Sequence, residues 1–283
     1  MDYLYHLATF IAIYTILAQG LNLFSGYTGL LSLAHAGFYG IGAYTAALLA
    51  VNFGFSIFLN FLIAGIFCGV IALLISVIAL RTYEDYFVIV TLGIQVIAFS
   101  FMNNWAGLTN GPLGITNIPG VGWLPDKLAF MAFAVTVAGM VYLLLWRLSR
   151  ASWVLNLRGI RDDEVLMQAM GKPVRQIKAV TFTLSAVTAS MAGVLYAHYM
   201  SYIDPTSFTI HESIYILAIV IIGGLGNLHG AFFAAAFMVL LPEVLRFVGL
   251  PDAIGANARQ MIYGALLVGV ILWTYREDKA SEE

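Results

Sequence analysis

The chain has 283 residues, of which 61% are hydrophobic and 10% are charged, and its formal net charge is −2. An ordinary soluble domain is roughly 45–50% apolar and about 25% charged, so this composition, with a mean hydropathy of +0.90, excludes a typical soluble domain. We expect a membrane protein that contacts lipid and no nucleic acid.

Nine apolar runs follow one another along the chain, and about 20 such residues cross the hydrocarbon core as a helix. They are Leu4–Phe24, Leu30–Ala50, Ile57–Leu80, Phe87–Met102, Leu128–Trp146, Ala179–Met200, Ser213–Leu225, Ala231–Leu245 and Met261–Trp273. The pattern predicts an all-α polytopic protein with roughly eight to ten transmembrane helices. Several runs are short or interrupted by glycine, so we expect some of these helices to be broken or re-entrant. Residues 1–283 are interpreted as a single transmembrane domain.

The first run has no basic segment or cleavage site of a signal peptide, so we interpret it as a retained first helix. The second contains GLLSLAHAGFYGIGAY, in which small residues surround His35. A polar side chain in a membrane helix must face the bundle interior or a partner group. His35 therefore either lines a pathway or bonds a backbone carbonyl freed by a glycine break, and we prefer the second interpretation.

One polar segment, residues 147–179, separates the apolar runs and carries seven of the 13 basic residues. The positive-inside rule places this segment in the cytoplasm. Alternation of the spans then places Arg81 and the C-terminal tail inside, and the loops 103–127 and 201–212 outside.

Within this cytoplasmic segment, the residues after Gly159 predict a short amphipathic helix. Asp162 and Asp163 suit a first helical turn, and Gly171 and Pro173 suit its end. Its apolar residues recur at helical spacing on one face. They are Val165, Leu166, Ala169 and Met170. Such a helix either lies on the membrane surface or docks in a groove of a partner protein.

A second glycine-rich stretch, GLGNLHGAFFAAAF from Gly224, aligns weakly with the stretch from Gly29 and makes His229 the equivalent of His35. Glycine-interrupted segments at corresponding places in two halves are typical of transporters with a repeated architecture. We therefore predict a possible two-fold internal repeat with both stretches near the translocation pathway. The predicted pathway residues are Gly29, Ser32, His35, Gly37, Gly223, Gly224, Gly226, Asn227 and His229.

Motifs for several kinds of chemistry are absent from the sequence. It has no G-x-x-x-x-G-K-[ST] phosphate loop, no H-E-x-x-H or cysteine cluster for a metal, and no G-x-S-x-G elbow. The lone Cys68 is interpreted as a small packing residue. We also expect no acid in the middle of a span, so this chain is predicted to be neither an enzyme nor an ion-driven carrier, and to bind no metal or cofactor.

Several blocks in one order resemble the permease subunits of the branched-chain amino-acid type of ABC importer, and specifically the M-type subunit. The blocks are GYTGLLSLAHAGFYGIGAY, YFVIVTLG, NNWAGLTNGPLGI, RGIRDDEVLMQAMG, FTLSAVTASMAGVLYAHYMSYIDPTSF and AIVIIGGLGNLHGAF, at 26–232. The likeness covers nearly the whole chain. It implies a permease subunit of the bacterial inner membrane that pairs with a homologous H-type permease.

The resemblance further implies a periplasmic or lipid-anchored binding protein that delivers a small polar solute, and two cytoplasmic ATPases that bind ATP and Mg²⁺. The family has a coupling loop that carries a Glu-Ala-Ala-like pattern before a glycine. This pattern maps onto Glu164, Ala169 and Gly171, so the resemblance implies that residues 147–179 form a coupling loop. The predicted ATPase-coupling residues are Arg161, Asp162, Asp163, Glu164, Ala169, Met170 and Gly171.

Two features depart from the family pattern. Val96 and Phe99 occupy the positions of a Glu and an Arg that lie three residues apart on one helix face, and EDKASEE follows Arg276 where the family ends in Arg-Pro-Gln-Gly. Loss of the charged pair indicates either changed handling of the solute or partner, or the loss of a structural ion pair. Three alternatives to amino-acid import therefore remain: a permease for a neutral amide or urea-like solute, an ion-coupled secondary carrier, and a passive channel.

Overall fold

The computed structural model describes residues 1–82, 84–122, 124, 126–247, 264 and 269. The longer helices are α1 (Asp2–Leu21), α2 (His35–Phe53), α3 (Ile57–Ala79), α4 (Glu84–Asn104), α6 (Lys127–Ser149), α9 (Val174–Met200), α10 (Ile210–Gly223) and α11 (Leu228–Phe247). Three short helices complete the set: α5 (Ala106–Thr109), α7 (Ser152–Asp162) and α8 (Glu164–Ala169). The predicted all-α polytopic fold is confirmed.

Six of these helices are long and apolar enough to cross a membrane, judged over the part of the chain that the structure describes. They begin at Asp2, His35, Ile57, Tyr86, Lys127 and Val174. Two further apolar helices, Ile210–Gly223 and Leu228–Glu243, are shorter. Eight of the nine predicted runs thus coincide with helices. The ninth, Met261–Trp273, lies outside the described residues apart from positions 264 and 269, and the tail after Arg276 lies outside them entirely.

Small residues let the central helices α1, α2 and α9 pack closely. A Cβ added at Gly42 of α2 would overlap the backbone of Ser190 in α9, and one at Gly193 of α9 would overlap the carbonyl of Tyr39. Such contacts between small residues drive helix association in lipid, where apolar burial alone gives little preference. The bundle is therefore built around backbone-to-backbone contact between α2 and α9.

The loops 103–127 and 201–212 meet at one end of the bundle. Ile115 and Ile203 form an antiparallel bridge, and Ile118 N donates to Ser201 O at 3.1 Å. Lys127 and Asp2 form an ion pair at 3.3 Å at the same end. The structure therefore places the two predicted outer loops and the start of α1 together, and we refer to this end as the outer end.

Part of the loop 201–212 packs into the bundle. Phe208 is fully buried, and its carbonyl accepts a 2.8 Å hydrogen bond from Gln95 Nε2 of α4. The next helix, α10, has 14 residues, which are too few to span the hydrocarbon core.

The polar segment 147–179 folds into α7 and α8 at the opposite end. The sequence predicted one helix after Gly159, whereas the structure ends α7 at Asp162 and starts α8 at Glu164. Asp163 has an extended backbone, and its Oδ1 accepts a 2.9 Å hydrogen bond from Leu166 N. The break arises because Asp163 acts as the N-cap of α8 and lies outside both helices.

Candidate functional site

The first glycine-rich stretch is a helix interruption between α1 and α2. After α1 the chain forms a π-helix, Asn22–Gly26, and then runs without helix through residues 29–34. Gly29 has a φ of +78°, a conformation that L side chains rarely adopt. The π-helix and this turn end the first span and return the chain into the bundle.

Neighbouring side chains satisfy the backbone of this interruption, which we call the broken-helix segment (residues 22–34). Thr91 Oγ1 of α4 accepts a 3.1 Å hydrogen bond from Leu33 N, and Ser213 Oγ of α10 accepts one of 3.0 Å from Ala36 N at the start of α2. Ser32, one of the predicted pathway residues, is buried, and its Oγ lies 3.4 Å from Ala34 N. Non-helical backbone at membrane depth is tolerated only when protein groups bond it in this way.

His35 is the first residue of α2 and is 2% exposed. Its Nε2 lies 3.0 Å from the carbonyl oxygen of Leu17 in α1. The imidazole therefore bonds a backbone carbonyl, as the preferred interpretation of His35 predicts. This bond joins α1 to the start of α2. Gly37, in the first turn of the same helix, leaves room for Gln95, whose Oε1 would lie 2.9 Å from an added Cβ.

The second glycine-rich stretch forms the turn between α10 and α11. Gly224 and Gly226 have φ values of +87° and +82°, and a Cβ at Gly230 would overlap the carbonyl of Gly223. The two glycines allow the turn, and the Gly223–Gly230 contact lets α10 and α11 approach closely.

The Asn22 side chain joins the two glycine-rich stretches. Its Nδ2 donates to Asn227 O at 2.9 Å, and its Oδ1 accepts from Gly226 N at 2.7 Å. A Cβ at Gly26 would overlap Gly226 N. The structure thus brings the predicted residues Gly226 and Asn227 against the broken-helix segment. Asn22 and Gly26, which make these contacts, were not among the predicted residues.

His229 lies elsewhere and differs from His35 in its surroundings. Its exposed ring bonds Tyr142 OH of α6, with Nδ1 at 2.9 Å. Both histidines lie in the first turn of a helix that follows a glycine-rich stretch, but of the two only His35 is buried against a backbone carbonyl. The equivalence of the two halves remains a prediction.

A cavity of about 450 Å³ lies between α1, α6 and α11 beside His229. Its lining is apolar apart from His229, Tyr142, Thr15 and Gln19. Gln19 is fully buried, and neither its amide nor the Thr15 hydroxyl has a hydrogen-bond partner among the described residues.

Among the predicted coupling residues, Arg161 reaches furthest into the protein. Its Nη1 donates to Gly26 O at 2.9 Å, and its Cγ would lie 3.2 Å from a Cβ on Gly29. The last turn of α7 therefore contacts the broken-helix segment directly. The predicted coupling set and the predicted pathway set meet at this point.

The remaining coupling residues lie on or beside α8. Glu164 Oε2 pairs with Lys178 Nζ of α9 at 2.6 Å, and Gly171 ends this stretch with a φ of +75°. Asp162 is exposed at the end of α7. Ala169 is exposed as well. Val165 is 75% exposed and Met170 is 64% exposed. The apolar face that the sequence predicted for this helix is therefore uncovered in the isolated chain.

Glu212, in the first turn of α10, is a candidate that the sequence analysis missed. Tyr14 OH of α1 donates to Glu212 Oε1 at 2.7 Å. Tyr14 lies twelve residues after Asp2, or about 18 Å along α1 from its outer end. The expectation concerned the middle of a span, whereas Glu212 lies in the first turn of α10, one of the two shorter apolar helices. The sequence analysis missed Glu212 because it extended the loop from residue 201 to residue 212, whereas the apolar helix already begins at Ile210.

Val96 and Phe99, which replace the family's charged pair, lie on α4. Val96 is 47% exposed, and Phe99 is half-buried. The residue before Val96, Gln95, faces the bundle interior, where its side chain donates to the carbonyl of Phe208. In this chain, Val96 therefore points away from the bundle interior.

Known proteins match the chain over most of its length. The family described as branched-chain amino acid transport system / permease component matches residues 3–271. The high-affinity branched-chain amino acid transport system permease protein LivM of Escherichia coli (strain K12) is 32% identical over 94% of this chain and 68% of its own length. The probable permease LivM of Methanocaldococcus jannaschii is 25% identical over 74% of this chain and 62% of its own length.

A more distant match is the autoinducer 2 import system permease protein LsrC of Klebsiella pneumoniae, 27% identical over 52% of this chain and 42% of its own length. No solved structure matches the chain significantly. The family match spans the broken-helix segment, the coupling loop and both glycine-rich stretches. The chain belongs to the branched-chain amino acid transport system permease family, whose members are transport permeases of the membrane.

Proposed function

We propose that this chain is one permease subunit of an ATP-driven importer that carries branched-chain or other small amino acids across the bacterial inner membrane by alternating access. A homologous H-type permease completes the membrane part. A periplasmic or lipid-anchored binding protein delivers the solute, and two cytoplasmic ABC ATPases bind ATP and Mg²⁺. The chain itself supplies no catalytic group.

The contact of Arg161 with Gly26 carries this proposal. The guanidinium group binds a backbone carbonyl of the broken-helix segment at 2.9 Å, so a displacement of α7 acts directly on that segment. The segment in turn holds the turn between α10 and α11 through Asn22. A force applied to the cytoplasmic loop thereby reaches the broken-helix segment and the turn between α10 and α11, the kind of glycine-interrupted segments found near the pathway of transporters.

The exposed apolar face of α8 supports an ATPase partner at this loop. Val165, Leu166 and Met170 are more than half exposed beside charged residues, outside the predicted spans. A contiguous exposed apolar surface of this kind marks a protein–protein contact. An amphipathic helix that lays this face into a groove of the ATPase would bury it.

The names of the relatives support an amino acid as the solute, and they also show that related permeases are named for different solutes. Two of them are named as branched-chain amino acid permeases, whereas LsrC is named for the import of autoinducer 2. Identity is higher and coverage is wider for LivM of Escherichia coli, so we assign an amino acid. A neutral amide or urea-like solute is the alternative that the experiment must separate.

Reconstitution into proteoliposomes tests the proposal. The chain is assembled with its H-type permease and ATPases, and uptake of radiolabelled leucine and of urea is measured with and without ATP and loaded binding protein. We expect leucine uptake that requires both. Uptake driven by an ion gradient in the chain alone would support a secondary carrier, ATP-independent flux would support a channel, and uptake of urea without leucine would support the amide alternative.

The coupling role of Arg161 has its own control. Arg161→Ala is expected to lower the leucine transported per ATP hydrolysed by about tenfold, the effect of losing roughly 1.4 kcal/mol of coupling. Arg150→Ala removes a cation of the same loop that stacks on Trp146 at 3.8 Å from the ring centroid, and it should leave this ratio unchanged. Equal ratios in both variants would contradict the coupling role.

A further inference from the structure

Glu212 is a carboxylate inside the bundle that has no cationic partner among the described residues. The ion pairs in that part of the chain are Lys127–Asp2 and Lys178–Glu164, and neither involves Glu212. Its carboxylate accepts a hydrogen bond from Tyr14 OH. An ionised group at membrane depth is costly without a partner and marks a functional site by default. A ligand that brings a positive charge would supply that partner.

Aromatic rings lead from the outer end to Glu212. Three of them, His6, Phe10 and Tyr14, lie at intervals of four residues on one face of α1, and Tyr196 and Tyr199 of α9 face them. We call these five residues the aromatic stripe. Successive ring centroids on α1 are 4.7 Å and 6.3 Å apart, and Phe10 lies 6.2 Å from Tyr196. Tyr215 of α10 extends the stripe beside Tyr14, with centroids 5.2 Å apart.

The outer end of the stripe opens on a second cavity. This cavity has a volume of about 610 Å³, and His6 and Tyr199 belong to its lining. The lining also contains two carboxylates, Asp2 and Asp126, and one ammonium group, that of Lys127. The aromatic stripe thus runs from the outer cavity to the half-buried carboxylate of Glu212.

The chemistry of this arrangement favours an organic ammonium group as the ligand. Aromatic faces attract cations, and an ammonium group has three donors that a carboxylate and a tyrosine oxygen can accept. A bare metal cation prefers a shell of several carboxylate and carbonyl oxygen ligands, whereas the hydrogen bond at this place joins one carboxylate, Glu212, to a tyrosine hydroxyl, that of Tyr14. The face also differs from the lipid-facing side of α3, where the most exposed residues are apolar.

We propose that Glu212 and Tyr14 form the site in this chain that receives the ammonium group of the transported amino acid, with the aromatic stripe leading to it from the outer cavity. The proposal rests on the proposed function and adds the group of the solute that the chain recognises.

Two substitutions in the reconstituted complex separate the effect of the negative charge of Glu212 on uptake from the effect of its side-chain shape. Glu212→Gln keeps an oxygen that accepts from Tyr14 OH but removes the charge. Glu212→Asp keeps the charge with a shorter reach. We expect Gln to lower leucine uptake per ATP by at least about tenfold, as for the loss of one partner of a buried charged pair. Asp should retain more uptake than Gln, and both variants should keep ATPase stimulation by the binding protein.

Leucine uptake in Glu212→Gln equal to that of the unaltered complex would overturn the proposal. An equal loss in the Gln and Asp variants would also overturn it, because it would indicate a packing role. Failure of the proposed function is distinguishable, since the unaltered complex would then show no ATP-dependent leucine uptake before any variant is compared. Should Glu212→Gln reach the membrane at reduced abundance, the comparison is made per assembled complex, measured by co-purification of the ATPase.

Discussion

Single polar residues hold the interrupted helices of this membrane protein together. His35 joins α1 and α2 through the carbonyl of Leu17, and Asn22 joins the broken-helix segment to the second glycine-rich turn. Each side chain bonds backbone groups of another element, as polar side chains do where a membrane helix is broken. At this scale, the structure depends on a few hydrogen bonds between elements distant in sequence.

Substitution of His35 distinguishes its two interpretations. His35→Gln retains donor and acceptor atoms and is expected to keep most transport, whereas His35→Leu leaves the Leu17 carbonyl without this bond and should cost about 1 kcal/mol of stability. Thermal unfolding of the purified chain in detergent measures the difference. A sharp loss of transport in His35→Gln, with normal abundance and melting temperature, would instead show that the imidazole acts in the pathway.

A functional residue could be predicted where its neighbours in sequence made it stand out, and it was missed where its role depends on distant parts of the chain. His35 was conspicuous because a polar side chain stood in a glycine-rich apolar run. Asn22 looked like an ordinary helix residue, since its partners Gly226 and Asn227 are about 200 positions away. Glu212 was overlooked because the depth at which a helix begins depends on the neighbouring helices, and hydropathy does not report it.

The helices themselves were largely predictable from hydropathy. Eight of the apolar runs coincide with helices, because apolar length is what the bilayer requires of a span. The break at Asp163 and the burial of the loop around Phe208 were not predictable in this way. The first depends on a capping bond to Leu166, and the second on a hydrogen bond from Gln95 in another helix.

Both helices of the α7–α8 unit are attached to the bundle by polar contacts. Arg161 bonds Gly26, and Glu164 pairs with Lys178, whose side chain is 6% exposed. Because both helices are attached, we expect the unit to move with the bundle and to transmit motion that is applied to α8.

Reversal of the Glu164–Lys178 pair tests this attachment. Glu164→Lys places two ammonium groups where the pair now measures 2.6 Å, and we expect leucine uptake per ATP to fall by about tenfold through the lost pairing and new repulsion. The double variant Glu164→Lys/Lys178→Glu restores opposite charges and should recover a substantial part of the coupling. If the double variant is no better coupled than the single one, Glu164 acts through the ATPase surface instead of through Lys178.

At the scale of the whole molecule, the two ends of the bundle have different contacts. At the outer end, the bridge between Ile115 and Ile203 joins two loops, and the Lys127–Asp2 pair holds the start of α1 beside them. At the other end, Arg161 joins α7 to the broken-helix segment. The basic residues are concentrated at this second end, which the positive-inside rule places in the cytoplasm.

This arrangement predicts which residues are accessible from each side of the membrane. Cys68 is the single cysteine and is fully buried, so the chain offers a low background for thiol labelling. Leu113 in the outer loop is 72% exposed and Val165 on α8 is 75% exposed, which makes them matched positions for a new cysteine. In cells with a permeabilised outer membrane and an intact inner membrane, a membrane-impermeant maleimide should label Leu113→Cys and leave both Val165→Cys and the unaltered chain unlabelled.

Once the inner membrane is opened with detergent, Val165→Cys should react as well, because its position is exposed on the cytoplasmic side. Assembly with the ATPases should then slow its reaction by at least severalfold if α8 docks on them, whereas Leu113→Cys should react at the same rate in both states, since it lies at the other end. Labelling of Val165→Cys in cells with an intact inner membrane would reverse the orientation that the positive-inside rule assigns. Such a reversal would place the coupling loop outside and remove the physical basis for an ATPase partner, because ATP is hydrolysed in the cytoplasm.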